Sequence, residues 1–156
     1  MEERNTNTII ESVEEDRYLL FVLGNEIFGT PLLGVREVVE PLVPKPVPNT
    51  RPFFTGVINI RGEIVGVMDL RSRFQHSTKS EPGQAMMVFE TSSGTEAALV
   101  DRIDAVAKIS PQTIERQPNV KSSISHEYLI GIAKEAGRLV TLLDLKKVLE
   151  EQQVKV

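Results

Sequence analysis

Apolar residues occur along this chain in short runs that are separated by glycine, proline or polar turns. Such runs, bounded by turn-forming residues, predict β-strands joined by tight connections. The predicted strands are residues 17–23, 26–28, 55–60, 63–68, 86–90, 96–100, 103–109, 128–133 and 138–143. Short helices are predicted over 70–74 (LRSRF) and 144–150 (DLKKVLE).

The segment from Leu32 to Val39 fits two interpretations. Val35 and Val38 have the spacing of a helical turn, whereas valine also favours a strand. The charged residues Arg36 and Glu37 interrupt the apolar ones, so the segment is either core or a surface that a partner covers. Five prolines between 41 and 52 follow, and they predict a stiff, extended crossing.

The central stretch GVINIRGEIVGVMDLRSRF, residues 56–74, predicts a hairpin with Arg61 at its tip. Gly62 supplies the positive φ that a two-residue turn needs. An arginine at such a tip has few structural roles, and arginine is enriched among the residues that dominate protein interfaces. The alternative is that Arg61 is a plain exposed turn residue.

Parts of the first half of the chain recur in the second half. At an offset of 75 residues the matching pairs are Gly56/Gly131, Gly62/Gly137, Val65/Val140, Asp69/Asp144 and Leu70/Leu145. At an offset of 70 residues they include Gly24/Gly94, Glu26/Glu96 and Pro41/Pro111. This repeat predicts a duplicated unit of short strands that forms two small β-barrels, because closing a sheet removes its exposed edges.

Charge and composition set the domain organisation. Residues 1–16 hold six acids and one base, a net charge of −5, whereas the other 140 residues hold 16 acids and 17 bases, a net charge of +1. We therefore expect an acidic flexible tail over 1–15, one domain over 16–150 and a short tail over 151–156. The polar segment around 75–84 predicts a boundary between subdomains at about 16–78 and 84–150.

No residue pattern indicates catalysis, a metal site or a bound cofactor. Cysteine is absent, no nucleotide-binding glycine motif occurs, and His76 and His126 lie in polar stretches. Asp69 and Asp144 have equivalent repeat positions, which favours two helix caps over an acid–base pair. The basic residues Arg71, Arg73, His76 and Lys79 are interpreted as a solvated face. A nearly neutral body and few aromatic residues also disfavour nucleic-acid binding.

Three segments of the sequence resemble the CheW family of chemotaxis coupling proteins. They are FTGVINIRG with VGVMDLR (54–71), RYLLFVLGNEIFGTPLLGVREVVEP (17–41) and EYLIGIAKEAGRLVTLLDLKKVL (127–149), so the resemblance covers about residues 17–150. It implies a mainly β fold of two SH3-like, five-stranded barrels around a shared apolar core. It also implies a scaffold that is not an enzyme and that joins the cytoplasmic tips of chemoreceptors to the histidine kinase CheA.

The resemblance also implies two binding sites. The kinase-binding surface packs on the regulatory domain of the kinase, and the positions that match it are Leu19, Leu32 and Val35. The positions that match the receptor-binding surface are Glu37, Val38, Val39, Gly56 and Arg61. We expect a cytoplasmic protein at membrane-associated receptor arrays, whose contact with the membrane is indirect, through the receptors.

Two other functions stay open at this stage. One is coupling in a non-flagellar chemosensory system, such as one that controls twitching motility. The other is binding of a small ligand in the groove between the barrels, where Asp69 and Asp144 are the candidate polar groups.

Overall fold

The computed structural model describes residues 16–48, 52–74, 84–116 and 126–151, and these ranges contain ten strands and two short α-helices. The strands are β1 (Arg17–Leu23), β2 (Glu26–Pro31), β3 (Glu37–Val39), β4 (Phe54–Ile60), β5 (Glu63–Asp69), β6 (Ala85–Thr91), β7 (Gly94–Val100), β8 (Arg102–Lys108), β9 (Leu129–Glu135) and β10 (Arg138–Leu143). The helices are α1 (Leu70–Arg73) and α2 (Leu145–Glu151). The tail over 1–15 and residues 152–156, together with His76 and Lys79, lie outside the described residues.

The strands form two five-stranded sheets, as the mainly β fold class predicts. Sheet A has the order β8-β1-β2-β10-β9, and sheet B has the order β3-β6-β7-β5-β4. Each sheet curls around an apolar cluster of its own. Both sheets are open rather than fully closed barrels, because their edge strands do not pair with each other. The edge strands are β8 and β9 in sheet A and β3 and β4 in sheet B.

The strand orders confirm the internal repeat. Shifting each strand of sheet A by five along the series of ten converts its order into that of sheet B. Two isolated bridges repeat as well, since Lys45 pairs with Val57 and Glu115 pairs with Ile132. The first residues of these bridges differ by 70 and the second by 75, which are the two offsets that the sequence predicts.

The two sheets do not coincide with the predicted subdomains over 16–78 and 84–150. Sheet A combines β1 and β2 with β8, β9 and β10, whereas sheet B combines β6 and β7 with β3, β4 and β5. The parallel pairs β2/β10 and β5/β7 join the two halves of the chain. Each half of the chain therefore gives two strands to one sheet and three to the other. The alternation of apolar and polar residues within one half does not predict this exchange of strands.

A shared apolar core lies between the sheets, as the resemblance implies. Phe21 and Phe28 from sheet A, Phe89 from sheet B, Leu70 from α1 and Leu145 from α2 are all fully buried there. Two smaller clusters fill the individual sheets, one around Val65 and Met86 and the other around Leu20 and Val140. Burial of this core ties the two exchanged halves into one unit.

Helix capping by the repeated aspartates is confirmed. Asp69 Oδ1 accepts a hydrogen bond from the backbone N–H of Arg71 at 2.9 Å, and Asp144 Oδ1 accepts one from that of Lys147 at 3.1 Å. Each carboxylate thus satisfies a backbone donor at the start of a short helix. The two aspartates act as caps and not as an acid–base pair.

The basic run after β5 is not a solvated face, so that interpretation is wrong for Arg71. Arg71 is 5% exposed, and its guanidinium contacts Asp69 Oδ2 at 3.0 Å and Asp101 Oδ1 at 3.7 Å. The guanidinium of Arg73 stacks at 5.4 Å from the ring centre of Phe53 and at 5.8 Å from that of Tyr128. The sequence predicts the positive charges of this run but not the acidic and aromatic partners that the fold brings to them.

Candidate functional site

The tip of the β4–β5 hairpin is a two-residue turn, as predicted. Ile60 pairs with Glu63 across it, and the two turn residues have positive φ angles, 49° for Arg61 and 89° for Gly62. Asn59 Oδ1 accepts a hydrogen bond from the backbone N–H of Gly62 at 2.8 Å, which stabilises this conformation. The Arg61 side chain projects from the turn and is 68% exposed.

Glu37 lies beside Arg61, although 24 residues separate them in the sequence. Arg61 Nη2 donates to Glu37 Oε2 at 2.5 Å. Glu37 begins β3, an edge strand of sheet B, and its side chain is 24% exposed. The hydrogen bond from Arg61 is the largest of the effects that lower the pKa of the Glu37 carboxyl. Two of the residues matched to the receptor-binding surface are thus in direct contact.

Two residues that the sequence does not assign to a binding site, Arg36 and Glu63, extend this contact into a network. Arg36 contacts Glu37 Oε2 through Nη2 at 3.1 Å and Glu63 Oε1 through Nη1 at 3.0 Å. The Thr95 hydroxyl donates to Glu63, and this hydrogen bond is the largest effect that lowers the pKa of the Glu63 carboxyl. The network thus joins Arg36 and Glu37, at the start of β3, to Glu63 on β5 and Thr95 on β7, and this contact between distant segments is produced by the fold.

The remaining residues matched to the receptor-binding surface differ in exposure. Val38 is 43% exposed, whereas Val39 is half-buried and packs against the sheet B cluster. Gly56 is buried on β4, where a Cβ atom would lie 2.4 Å from the backbone oxygen of Lys45. Glu37, Val38 and Arg61 are therefore accessible to a partner, and Val39 and Gly56 support them from inside the sheet.

In the segment from Leu32 to Val39 the strand alternative is confirmed, and the helical turn through Val35 and Val38 is wrong, because Val35 is extended and Val38 lies in a strand. Leu32–Gly34 forms one 3-10 turn, and Glu37–Val39 forms strand β3. Leu32 and Val35, which match the kinase-binding surface, are half-buried and pack against the shared core. Leu33 between them is 53% exposed, and it has no sequence signal beyond its place in this apolar run.

Leu19, the third residue matched to the kinase-binding surface, lies inside the protein. It is 4% exposed and belongs to the shared core. It also pairs with Thr30 on β2 and with Val106 on β8, near the centre of sheet A. The structure thus brings Leu19, Leu32 and Val35 to one region of the core, with Leu33 as the most exposed leucine beside them.

The described residues hold no metal-binding cluster of three or more His, Asp or Glu side chains. None of the described helices has the length and apolar character needed to cross a bilayer. Two open grooves of about 320 and 380 Å³ flank the proline-rich crossing over sheet B, and Leu42 and Val43 line both. Their walls are mainly apolar, and the guanidinium at the second groove is Arg71, which is already paired with Asp69.

Comparison with known proteins agrees with the exchanged two-sheet fold. A family model described as "CheW-like domain" matches residues 17–153. The chain belongs to the CheW-like family. It is 29% identical over 148 residues to the chemotaxis protein CheW of Thermotoga maritima, which covers 95% of this chain and 97% of that protein. It is also 29% identical over 138 residues to CheW of Klebsiella aerogenes, with coverage of 88% and 83%.

A solved CheW structure has the same fold. The scaffolding protein TtCheW from Thermoanaerobacter tengcongensis superposes with a TM-score of 0.77 at 28% identity, which covers 87% of this chain and 88% of that one. This chain and TtCheW therefore share one fold. Protein FrzA of Myxococcus xanthus is a further relative, 27% identical over 139 residues, with coverage of 87% and 86%.

Proposed function

We propose that this CheW-like protein couples the cytoplasmic tips of chemoreceptors to the histidine kinase CheA. Its family membership supports the coarser statement, that it is a non-enzymatic scaffold of chemotaxis. The protein then acts in the cytoplasm, at receptor arrays, and reaches the membrane only through the receptors. It holds the two partners on different surfaces and contributes geometry rather than chemistry.

The observation that carries this proposal is the exposed Arg61 guanidinium, which Glu37 holds at the tip of the β4–β5 hairpin. A guanidinium has five N–H donors, and Glu37 accepts from a single terminal nitrogen of Arg61. Donors therefore remain for a partner, and exposed Val38 on β3 adds an apolar contact. Mixed cationic and apolar surfaces of this kind suit the side of an amphipathic receptor helix.

The kinase-binding surface is proposed around the 3-10 turn after β2. Leu33 is exposed there, and Leu32 and Val35 are half-buried beside it. Leu19 contributes from beneath, because its side chain packs in the same core. Arg36 and Glu37 follow this turn directly, so a movement of a bound receptor helix is transmitted to the kinase through one short segment.

A reconstitution with purified components tests this function. The full-length protein is mixed with CheA and with a soluble cytoplasmic fragment of a receptor from the same organism, and binding is measured by calorimetry with each partner. We expect separate binding to each and a ternary complex with both. Binding to neither partner would show that the coupling function is wrong. Binding to one partner alone would show that one of the two proposed binding surfaces is wrong.

Coupling in a non-flagellar chemosensory system is a second candidate, and the similarity to Protein FrzA favours it. Both candidates require the same two surfaces, so the reconstitution does not separate them. Deletion of the gene does. Loss of swimming chemotaxis with normal surface motility supports a flagellar pathway, and loss of directed surface motility with normal swimming supports the other.

A further inference from the structure

A continuous chain of polar contacts runs from Thr95 on β7, the middle strand of sheet B, to Arg61. The Thr95 hydroxyl on β7 donates to Glu63 on β5, and Glu63 contacts Arg36 at 3.0 Å. Arg36 contacts Glu37 at 3.1 Å, and Glu37 accepts from Arg61 at 2.5 Å. The four charges alternate in sign, so each inner group has oppositely charged neighbours. The chain connects three strands and the hairpin tip, none of which is adjacent to all the others in the sheet.

Sheet A contains the corresponding ion pair with its charges reversed. Arg138 follows the β9–β10 turn as Glu63 follows the β4–β5 turn, and it contacts Asp104 on β8 at 2.9 Å. Strand β8 is the repeat equivalent of β3, from which the network of sheet B continues. At the tip of sheet A, Ala136 takes the place of Arg61. The pair in sheet A therefore connects a strand to a hairpin but has no tip cation to orient.

We propose that Arg36 and Glu63 are positioning residues, which hold the Glu37 carboxylate in place so that Arg61 presents its guanidinium in one orientation to the receptor. This inference rests on the proposed function, since it concerns the same surface. An exposed arginine loses conformational freedom when it binds, and a side chain that is oriented beforehand loses less. The two residues thus increase affinity without touching the partner.

Glu63 matters because two arginines share the Glu37 carboxylate. Arg36 and Arg61 both donate to the same atom, Glu37 Oε2. With Glu63 present, Arg36 divides its donors among Glu37 at 3.1 Å, Glu63 at 3.0 Å and, less closely, Glu90 at 3.6 Å. Without Glu63, Arg36 keeps Glu37 and, among the carboxylates of the described residues, only the longer contact to the exposed Glu90. The two like-charged guanidiniums then compete more strongly for Glu37, and the Arg61 contact is weakened by their repulsion. Removal of Arg36 has a similar result by another route, because the Glu37 carboxylate then loses the contacts from Nε and Nη2 of Arg36 that hold it in place.

A measurement on the isolated protein tests the orientation directly. The order of the Arg61 side chain is followed by NMR relaxation of its Nε–Hε group in the wild type and in R36Q, E63Q and R138Q. We expect Arg61 to become more mobile in R36Q and E63Q and to stay unchanged in R138Q, which breaks the reversed pair of sheet A. An Arg61 side chain that is as ordered in R36Q and E63Q as in the wild type would overturn the proposal.

A double-mutant cycle tests the consequence for binding. The affinity for the receptor fragment is measured for R36Q and E63Q, each with Arg61 and with R61A. We expect each single change to weaken binding about threefold to tenfold, and to have almost no further effect when Arg61 is already alanine. R138Q is the matched control and should bind as the wild type does.

The outcomes distinguish this inference from the proposed function. Equal losses with and without Arg61 would mean that Arg36 or Glu63 contacts the partner or acts on stability, and the positioning role would be wrong. If the wild type does not bind any receptor fragment, the proposed function fails, and the NMR measurement still decides whether Arg36 and Glu63 orient Arg61.

Discussion

Arg61 and Ala136 have the same position in the two halves of the fold. Each is the first residue of a two-residue hairpin turn, with φ angles of 49° and 52°, and each is followed by a glycine with positive φ. The turn therefore forms equally well with alanine at this position. Sheet A shows what sheet B would be without its tip cation, so a role for Arg61 in binding can be separated from a role in folding.

Arg61→Ala is expected to weaken binding to the receptor fragment at least about tenfold, as loss of a central interface arginine does. It should change the melting temperature by less than about 3 °C, because the side chain is exposed and Ala136 already forms this turn. Calorimetric titration and thermal unfolding measure the two effects. Lys134→Ala, which removes an exposed charge from the other hairpin, is the matched control. A large fall in melting temperature would make Arg61 a structural residue.

Gly56→Ala is expected to destabilise the protein by about 2–4 kcal/mol. A Cβ atom there would lie 2.4 Å from the Lys45 oxygen, and the φ of 143° is unfavourable for a side chain. Urea unfolding measures the loss. The control is Gly137→Ala, which also has a positive φ, of 77°, but has open space around it and should cost about 1 kcal/mol.

This pair of variants also decides how Gly56 serves the receptor-binding surface. We expect any loss of receptor binding in Gly56→Ala to follow from its lost stability and to be smaller at low temperature, where more of the variant is folded. A Gly56→Ala protein that is as stable as the wild type but fails to bind the receptor would instead identify Gly56 as a direct contact.

Arg71→Met is expected to destabilise the protein by about 3–5 kcal/mol, because it leaves the buried Asp69 carboxylate without its cation. Asp101 loses the same cation, and its other oxygen accepts from the backbone N–H of Gly24 at 2.7 Å. Denaturant unfolding followed by circular dichroism gives the difference. Lys146→Met changes the exposed repeat equivalent of Arg71 and should leave stability almost unchanged. Equal effects from the two substitutions would contradict a structural role for the buried pair.

The ion pair of Glu37 with Arg61 is expected to weaken as the pH falls. The pKa of the Glu37 carboxyl is lowered from its ordinary value of 4.5, first of all by Arg61. A lowered folded-state pKa contributes stability that is present above pH 4.5 and is lost as the pH falls through the lower, folded value. NMR titration of the side-chain carboxyl should show this pKa moving up toward 4.5 in Arg61→Ala.

Asp104 provides the internal reference for that titration. Its pKa is lowered mainly by Arg138 on the other sheet, so Arg61→Ala should leave it unchanged. A Glu37 pKa that does not move in Arg61→Ala would show that the two side chains are not paired in solution.

Local features of the chain are enough to predict most of its elements. The strand Arg17–Leu23 and the closing helix Leu145–Glu151 are found nearly where an apolar run and a capping aspartate predict them. Positive φ at Gly62 and capping by Asp69 were also predicted, since both depend on neighbouring residues in the chain. The repeat was visible for the same reason, because it preserves turn glycines and caps at constant spacing.

Contacts between residues that are distant in the sequence cannot be predicted from these local features. Leu19 and Gly56 were matched to binding surfaces by resemblance, yet both are buried, because strands from the other half of the chain and the proline-rich crossing cover them. The sequence favours a solvated Arg71, because no residue near it in the chain indicates the contact with Asp101. Burial is a property of packing, and local alternation does not report which strand will cover which face.

The hairpin that carries Arg61 shows most clearly which features the sequence determines and which depend on the tertiary structure. Its strands, its tight turn and the exposed arginine follow from the residues between Gly56 and Phe74, since each depends on backbone conformation over a few positions. The orientation of that arginine depends on Glu37, and through it on Arg36 and Glu63, which meet only after the halves of the chain exchange strands and sheet B curls. Pairing between distant strands is selected by burial of the shared core as a whole, and so the site is assembled by the fold rather than by any one segment.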